Sequence, residues 1–189
     1  EGIMQTLVIL SHPNLNSSVA NAVIVNQFEK SEHLITIRHL DALYSDFKID
    51  VIAEQAALLA ADSIVFQFPF YWYSAPAMLK HWLDKVLTFN FAYGPDGNKL
   101  KGKNLLISTT VGGPQDSYHP LGYNHFNVTD LLRPFEQTAY LTGMNYLPPI
   151  FTHGCVYIPG VYNVKEDVED RARGHAGRVL SLLAELALK

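Results

Sequence analysis

The chain has 189 residues, of which 48% are hydrophobic and 17% are charged, and its formal net charge at pH 7 is −4. This length fits one domain with a sizeable core, and the mildly acidic balance argues against a nucleic-acid partner. The single cysteine, Cys155, excludes an internal disulfide framework and a zinc site of several cysteines, which favours a reducing, cytoplasmic location. No apolar stretch approaches the roughly 20 residues of a membrane-spanning helix, so we expect at most peripheral contact with the inner face of the membrane.

Apolar runs with strand character alternate with segments of helical periodicity, after three residues before Met4 that we interpret as a cloning remnant. In chain order the pattern predicts a strand over 6–10, a helix from Ser17 or Ser18 to about Phe28, a strand over 33–40, a helix over 50–60, a strand over 63–68, a helix over 76–86, a strand over 104–110, a helix over 131–142 that stops at Gly143, a short strand over 154–158 and a helix over 164–188. Gly174 and Gly177 are positions where the last helix could be interrupted.

This alternation predicts parallel strands joined by right-handed helical crossovers. With about five strands and no repeat or linker, we expect one α/β domain over 1–189, built as a three-layer, doubly wound, parallel five-stranded sheet. Such sheets bind ligands beyond the carboxyl ends of their strands, near the point where the strand order reverses. We therefore expect the functional residues in the segments after the first, third and fourth predicted strands.

The segment after the first strand, 12–21, carries His12, hydroxyls, amides and the start of a helix. A helix N-terminus favours an anion, so this segment could bind a phosphate. It contains neither the G-x-x-x-x-G-K nor the G-x-G-x-x-G pattern, and simple helix capping is the alternative interpretation.

The segment after the third strand, 69–76, contains three consecutive aromatic residues that cannot all enter one core face. A flat heteroaromatic ring could stack on them, and a contact between subunits is the alternative. After the fourth strand come Gly112 and Gly113, which permit close approach of backbone to a ligand, followed by Tyr118 and His125 as a possible proton-donating pair. The histidines show no metal-ligand spacing, and the absence of G-x-S-x-G disfavours a serine hydrolase.

The most specific run of the sequence is Q-x-P-x-x-W-Y-x-x-P over 67–76, followed by L-K-x-W over 79–82 and F-A-Y-G over 91–94. Together with His12-Pro13, the segments 18–21, 50–55 and 110–113, it resembles the flavodoxin-like NAD(P)H:quinone oxidoreductases, the DT-diaphorase family. The similarity is closest to the short bacterial members of the modulator-of-drug-activity type and to the ancillary oxidoreductases of potassium-efflux systems. It implies a flavodoxin-like fold and a bound flavin.

The resemblance also implies roles for individual residues. The flavin phosphate and ribityl chain would be held by His12, Ser18, Val19, Ala20 and Asn21. The flavin ring would meet Pro69, Phe70, Tyr71, Trp72 and Tyr73, its pyrimidine edge would meet Thr110, Val111, Gly112 and Gly113, and Gln55 would approach it. Tyr118 would be the active-site tyrosine, with His125 as its partner and His119 as the alternative, since the Tyr–His spacing is one residue longer than in the mammalian relatives.

The expected cofactor is FMN, with FAD as the alternative. The FAD-binding relatives carry a glutamate just before F-A-Y, where this chain has Asn90, and a long C-terminal extension. The implied reaction is a ping-pong hydride transfer, in which NADH or NADPH reduces the flavin and a quinone or similar acceptor then takes two electrons. A homodimer with its sites at the interface is expected. The alternatives are an FMN electron carrier without pyridine-nucleotide turnover and a regulatory ancillary subunit of a potassium-efflux antiporter, for which the partner would be a membrane transporter.

Overall fold

The computed structural model describes residues 3–189, so the interpretation of Glu1 and Gly2 as a cloning remnant lies outside the described residues. The strands are β1 (Gln5–Leu10), β2 (Leu34–His39), β3 (Ser63–Pro69), β4 (Asn104–Thr110), β5 (Asn145–Tyr146) and β6 (Ile150–Thr152). The helices are α1 (Ala20–Lys30), α2 (Leu40–Leu43), α3 (Val51–Ala60), α4 (Ala77–Val86), α5 (Val128–Leu131), α6 (Arg133–Thr142) and α7 (Lys165–Ala187).

The strands form one sheet in the order β2-β1-β3-β4-β5, and every pair is parallel. β6 continues the outer position beside β4, opposite Ser108 to Thr110. The chain moves to one side of β1 to form β2 and then to the other side to form β3, which places the switch point between β1 and β3. The doubly wound, flavodoxin-like architecture expected from the sequence is confirmed.

The predicted fifth strand over 154–158 is wrong. The outer position of the sheet is filled by β5 and β6, which Pro148 and Pro149 separate because a proline has no N–H for the ladder. The residues over 154–158 instead cross above the loop that follows β4. Cys155 donates its backbone N–H to the carbonyl of Val111 at 3.0 Å, and Gly154 donates to that of Gly113 at 3.3 Å.

The two faces of the sheet carry separate apolar clusters because successive strand residues point to opposite sides. Leu7, Ile9 and Phe66 face the layer that includes α3, α4 and α6, where Trp82 is fully buried. Val8 and Leu10 face the layer formed by α1 and α7. The strands β1, β3 and β4 are buried on both faces, so they appear in the sequence as nearly continuous apolar runs.

Helix boundaries differ from expectation in two places. The helix predicted over 131–142 is preceded by the short α5, and α6 begins with Pro134 in its first turn and ends at Gly143, whose φ of 75° forms a left-handed cap. α7 is continuous through Gly174 and Gly177, so the suggested interruption is absent. Both glycines lie on its exposed side, while Val168, Ala172, His175 and other buried residues anchor the opposite face.

Candidate functional site

A cleft of ≈ 280 Å³ lies at the carboxyl edge of the sheet, where the loops after β1, β3 and β4 meet the start of α1. It is lined by His12, Ser17, Ser18, Val19, Asn21, Pro69, Phe70, Tyr71, Thr110, Gly112, Cys155, Val156 and Tyr157. Four segments that are distant in sequence, the three loops and the stretch over 155–157, are therefore brought together by the parallel topology. Ten of these residues come from the segments that sequence analysis singled out, and three come from the segment after β6 that it assigned to a strand.

The start of α1 is capped by its own sequence. Ser18 has an extended backbone (φ −83°, ψ 127°), and its Oγ accepts a hydrogen bond from the backbone N–H of Asn21 at 3.0 Å. The capping interpretation is thus confirmed, with Ser18 rather than Ser17 as the cap. Capping satisfies one backbone donor, and the remaining N–H groups of the first turn still give this end of the cleft a positive character that suits a phosphate.

His12 is held in a neutral form with a defined proton position. Its Nδ1 accepts a hydrogen bond from the backbone N–H of Asn14 at 2.9 Å, which leaves the proton on Nε2. Burial lowers the pKa of His12, outweighing the opposing carboxylate of Asp41, which accepts the His12 backbone N–H at 2.9 Å. His12 therefore contributes a neutral N–H donor to the cleft rather than a positive charge.

The aromatic segment after β3 forms a tight turn. Tyr71 and Ser74 exchange two backbone hydrogen bonds, of 3.1 and 2.9 Å, around Trp72 and Tyr73, which have positive φ values of 47° and 61°. Two consecutive positive φ values define a type I′ turn, an uncommon conformation for aromatic residues that points to a functional constraint. Phe70 and Tyr71 line the cleft, whereas Trp72 is 92% exposed and Tyr73 points to the loop over 118–126, where its hydroxyl donates to Asn124 at 3.0 Å.

The loop after β4 depends on its two glycines. A Cβ added to Gly112 would lie 2.8 Å from Cγ2 of Val156, and one added to Gly113 would lie 3.3 Å from Cε2 of Tyr118. The Gly112 carbonyl also accepts a hydrogen bond from the Tyr162 hydroxyl at 3.1 Å. The segment over 153–162 therefore forms a wall of the cleft that packs directly on this loop. Gly154 and Gly160 both have positive φ in the structure, and the glycine at position 154 was the sequence signal against a strand there.

Tyr118 lies among three rings, those of Phe70, Tyr73 and His153, with centroid distances of 6.2, 6.4 and 5.3 Å. Burial, with a smaller effect of Tyr73, raises the pKa of Tyr118, so its phenol stays protonated at neutral pH and can donate a hydrogen bond. Among the ring pairs of residues 3–189, Tyr118 contacts neither His125 nor His119. Both of those histidines are exposed within the chain.

His153 is the histidine that the structure brings to Tyr118, and sequence reasoning missed it as a site residue. Its Nδ1 lies 3.2 Å from the carbonyl oxygen of Gly113. Burial lowers the pKa of His153, against the opposite effect of that carbonyl, so the neutral ring donates from Nδ1 and keeps an acceptor at Nε2. Tyr118 and His125 do not pair within one chain. His125 lies in the loop after Gly122, where its backbone N–H donates to the Gly122 carbonyl.

Gln55, the glutamine expected beside the flavin, packs elsewhere in the structure, and a different glutamine lies beside the cleft. Gln55 does not line the cleft. Its Nε2 donates to the carbonyl of Val86 at 2.9 Å and to Oγ1 of Thr88 at 3.0 Å, so it joins α3 to the end of α4. The buried glutamine beside the cleft is Gln67, whose Nε2 donates to Oδ1 of Asn21 at 3.1 Å. Its signal in the sequence was a polar residue inside an otherwise apolar buried strand.

A family model described as a flavodoxin-like fold matches residues 4–177. The chain belongs to this flavodoxin-like family. Among its relatives, the uncharacterised NAD(P)H oxidoreductase YdeQ of Bacillus subtilis (strain 168) is 49% identical over 145 residues, which are 77% of this chain and 73% of the relative. The ancillary protein KefG of the glutathione-regulated potassium-efflux system of Erwinia tasmaniensis is 41% identical over 149 residues, which are 79% of this chain and 80% of the relative.

Several solved structures superimpose over nearly the whole chain. General stress protein 14 of Treponema denticola, in complex with FMN, aligns with a TM-score of 0.85 and 36% identity over 96% of this chain and 99% of that one. An NADPH-quinone reductase of P. pentosaceus aligns with a TM-score of 0.77 and 33% identity over 92% of this chain and 96% of that one. A protein described as a thermophilic tryptophan halogenase of Streptomycin violaceusniger aligns with a TM-score of 0.84 and 38% identity over 92% of this chain and 98% of that one. Because these descriptions differ, the activity of this chain has to be argued from its site.

No helix among residues 3–189 is both long enough and apolar enough to cross a membrane.

Proposed function

We propose that the chain is an FMN-dependent NAD(P)H oxidoreductase that reduces quinones or related two-electron acceptors. The observation that carries the proposal is the cleft itself, which joins a helix N-terminus at one end to aromatic and glycine-bearing loops at the other. This arrangement suits a ligand with an anionic phosphate and a flat ring. The FMN complex of the relative from Treponema denticola and the name NAD(P)H oxidoreductase of the relative YdeQ support the same assignment.

The residues present fit FMN. The first turn of α1, with Ser18, Val19 and Ala20, and the Nε2–H of His12 would hold the phosphate and ribityl chain. The ring would lie between Phe70 and Tyr71 on one side and the loop over 110–113 on the other, where the absence of a Cβ at Gly112 leaves room for Val156. The exposed aromatic turn at Trp72 and Tyr73 is available to a second copy of the chain, in agreement with a homodimer.

Bound FMN would supply the hydride chemistry that links NAD(P)H to the two-electron acceptor in a ping-pong sequence. The protein positions the reactants and manages protons. Tyr118, which is protonated at neutral pH, donates a hydrogen bond to the oxygen of the flavin or quinone that gains negative charge. The neighbouring rings shield the Tyr118 hydroxyl from water. Within one chain His153 is the histidine that orients Tyr118. His125 acts only if a second copy brings it to the site.

The test is a titration of the purified protein with FMN, and separately with FAD, followed by NADPH or NADH without oxygen and then by menadione. We expect FMN to bind, its absorbance near roughly 450 nm to bleach with NAD(P)H, and menadione to restore it repeatedly. Preferential binding of FAD would overturn the choice of cofactor. Binding of FMN without reduction by NAD(P)H would favour an electron carrier, and the absence of flavin binding would refute the proposal.

The similarity to KefG favours a second candidate function, an ancillary subunit of a potassium-efflux antiporter. Its test is co-purification of the chain with such an antiporter, with and without reductase substrates. A complex that forms equally with the less active Tyr118→Phe variant would assign the docking role independently of catalysis.

A further inference from the structure

A row of buried polar side chains runs from the surface of α7 to the cleft, between the sheet and the layer of α1 and α7. Its members on the strands, Gln67, Ser108 and Thr110, follow the apolar residues of the same sheet face. His175 on α7 is 1% exposed, and Asn21 on α1 is 2% exposed. Burying a polar group is unfavourable unless it is hydrogen-bonded, so each of these side chains needs a hydrogen-bond partner.

The direction of the first bonds follows from Arg178, which has only donors. Its Nη2 donates to Oγ1 of Thr152 at 2.5 Å, so the Thr152 hydroxyl is free to donate onward, and it lies 2.9 Å from Nδ1 of His175. Burial, with a smaller effect of Arg178, lowers the pKa of His175 to about 3, so the ring is neutral. With Nδ1 accepting, the single ring proton sits on Nε2, which lies 2.7 Å from Oγ of Ser108.

The hydrogen bonds continue across the sheet. Ser108 accepts from His175 and donates to Oε1 of Gln67 at 2.5 Å, which fixes the orientation of that amide. Nε2 of Gln67 then donates to Oδ1 of Asn21 at 3.1 Å, and Nδ2 of Asn21 donates to Oγ1 of Thr110 at 2.9 Å. Each hydrogen bond points the same way, from Arg178 towards the cleft. Thr110 receives the last one, and its own hydroxyl proton remains for a group in the cleft.

We infer that this row of side chains is a positioning relay, in which His175 and Ser108 hold the Thr110 hydroxyl as a hydrogen-bond donor to the ring of the bound cofactor. Thr110 lines the cleft and would contact the ligand directly, whereas His175 and Ser108 act only through it. The inference rests on the proposed FMN site. The Thr110 hydroxyl would donate a hydrogen bond to an acceptor atom of the ring. That hydrogen bond would be stronger once reduction has placed negative charge on the acceptor.

The relay predicts a higher affinity of the protein for reduced than for oxidised FMN. A hydrogen bond to a charged group contributes about 1.5 kcal/mol, so loss of the relay should lower the ratio of the two affinities about tenfold. For a two-electron couple this corresponds to a fall of about 30 mV in the potential of bound FMN. The measurement is the two-electron potential, taken with reference dyes, together with the dissociation constant of oxidised FMN.

Two variants interrupt the relay and two serve as controls. His175→Leu and Ser108→Ala remove the bonds on either side of the same step, and both should show the fall. His175→Gln keeps a donor near the position of Nε2 and should remain within about threefold of the unmodified ratio. Val179→Ala creates a cavity in the same buried face of α7 without touching the relay, so it should lower stability but not the potential. Equal potentials in all variants, or an equal fall in Val179→Ala, would overturn the inference.

The tautomer of His175 tests the relay without FMN. Two-bond ¹H–¹⁵N correlation spectra of the protein alone should show a neutral ring with the proton on Nε2, and the Ser108→Ala variant should disturb that signal. A proton on Nδ1 would overturn the direction of the relay. If the unmodified protein binds no FMN, the proposed function fails, while this spectrum still decides how the buried side chains are arranged.

Discussion

The rings of Tyr118 and His153 lie against each other with their centroids 5.3 Å apart and their planes inclined by 49°. The two residues are distant in sequence, and the contact exists because β6 pairs with the end of β4 and delivers His153 to the loop after Gly113. It replaces, within one chain, the contact expected between Tyr118 and His125.

We therefore expect Tyr118→Phe to lower kcat/KM for menadione by roughly 10²-fold, at the lower end of the range attributed to a lost proton donor. His153→Ala should lower it to a similar extent, because Tyr118 loses the ring that orients it. His125→Ala is the matched comparison. A loss confined to His125→Ala would show instead that the histidine of the site comes from another copy of the chain, and mixed dimers of single variants would then recover activity.

Gly112 and Val156 provide a test of the cleft wall. Gly112→Ala places a Cβ 2.8 Å from Cγ2 of Val156, a contact so close that the Val156 side chain, which lines the cleft, has to shift. We expect FMN binding, followed by flavin fluorescence, to weaken roughly tenfold, equivalent to about 1.4 kcal/mol. The double variant Gly112→Ala/Val156→Ala removes the clash and should recover most of the affinity. A double variant as weak as the single one would contradict this explanation.

His175 predicts how stability depends on pH. Its pKa is about 3 in the folded protein and ordinary, near 6.5, in the unfolded chain. Between these values the unfolded chain binds more protons, so the free energy of unfolding falls as pH is lowered from 6.5 towards 3, by up to about 1.4 kcal/mol per pH unit. Burial of His12 and His153 acts in the same direction.

The measurement is denaturant unfolding at a series of pH values from 4 to 7, for the unmodified protein and for His175→Gln. The variant lacks the titrating ring, so the difference in stability between the two proteins should shrink as pH falls. Burial requires His175 to take up a proton in the unfolded chain but not in the folded protein over this pH range. A constant difference in stability would contradict this.

The pair of Arg38 and Glu54 predicts a stability effect away from the cleft. The Glu54 side chain is fully buried, and its carboxylate accepts two bonds from Nε of Arg38, of 2.7 and 2.5 Å. Arg38→Met leaves this carboxylate buried and unpaired, which should lower the free energy of unfolding at pH 7 by about 3 kcal/mol. Burial raises the pKa of Glu54 even in the intact pair, so without Arg38 the deficit should shrink at acidic pH as the carboxyl takes up a proton.

The control is the double variant Arg38→Met/Glu54→Leu, which replaces the buried pair by apolar side chains and should recover most of the loss. A double variant less stable than Arg38→Met alone would show that Glu54 contributes to the fold through a contact other than Arg38.

Much of the fold could be predicted because it depends on local signals. The strands β1, β3 and β4 are buried on both faces and so appear as apolar runs, Asp50 caps α3 by accepting from the N–H of Ala53, and Gly143 ends α6 in a left-handed conformation. The outermost strand was mispredicted because two prolines divide it into pieces of two and three residues, too short to produce a pattern.

The sequence by itself determined the doubly wound fold and three of the four segments that build the cleft, since alternation of strands and helices and the turn residues at strand ends are local properties. The tertiary structure decided which residues at those loops act together. It replaced His125 by His153 beside Tyr118 and Gln55 by Gln67 beside the cleft, and it joined Arg178, His175 and Ser108 to Thr110. Such groupings depend on strand register and helix packing between distant segments, and no local pattern in a single sequence encodes them.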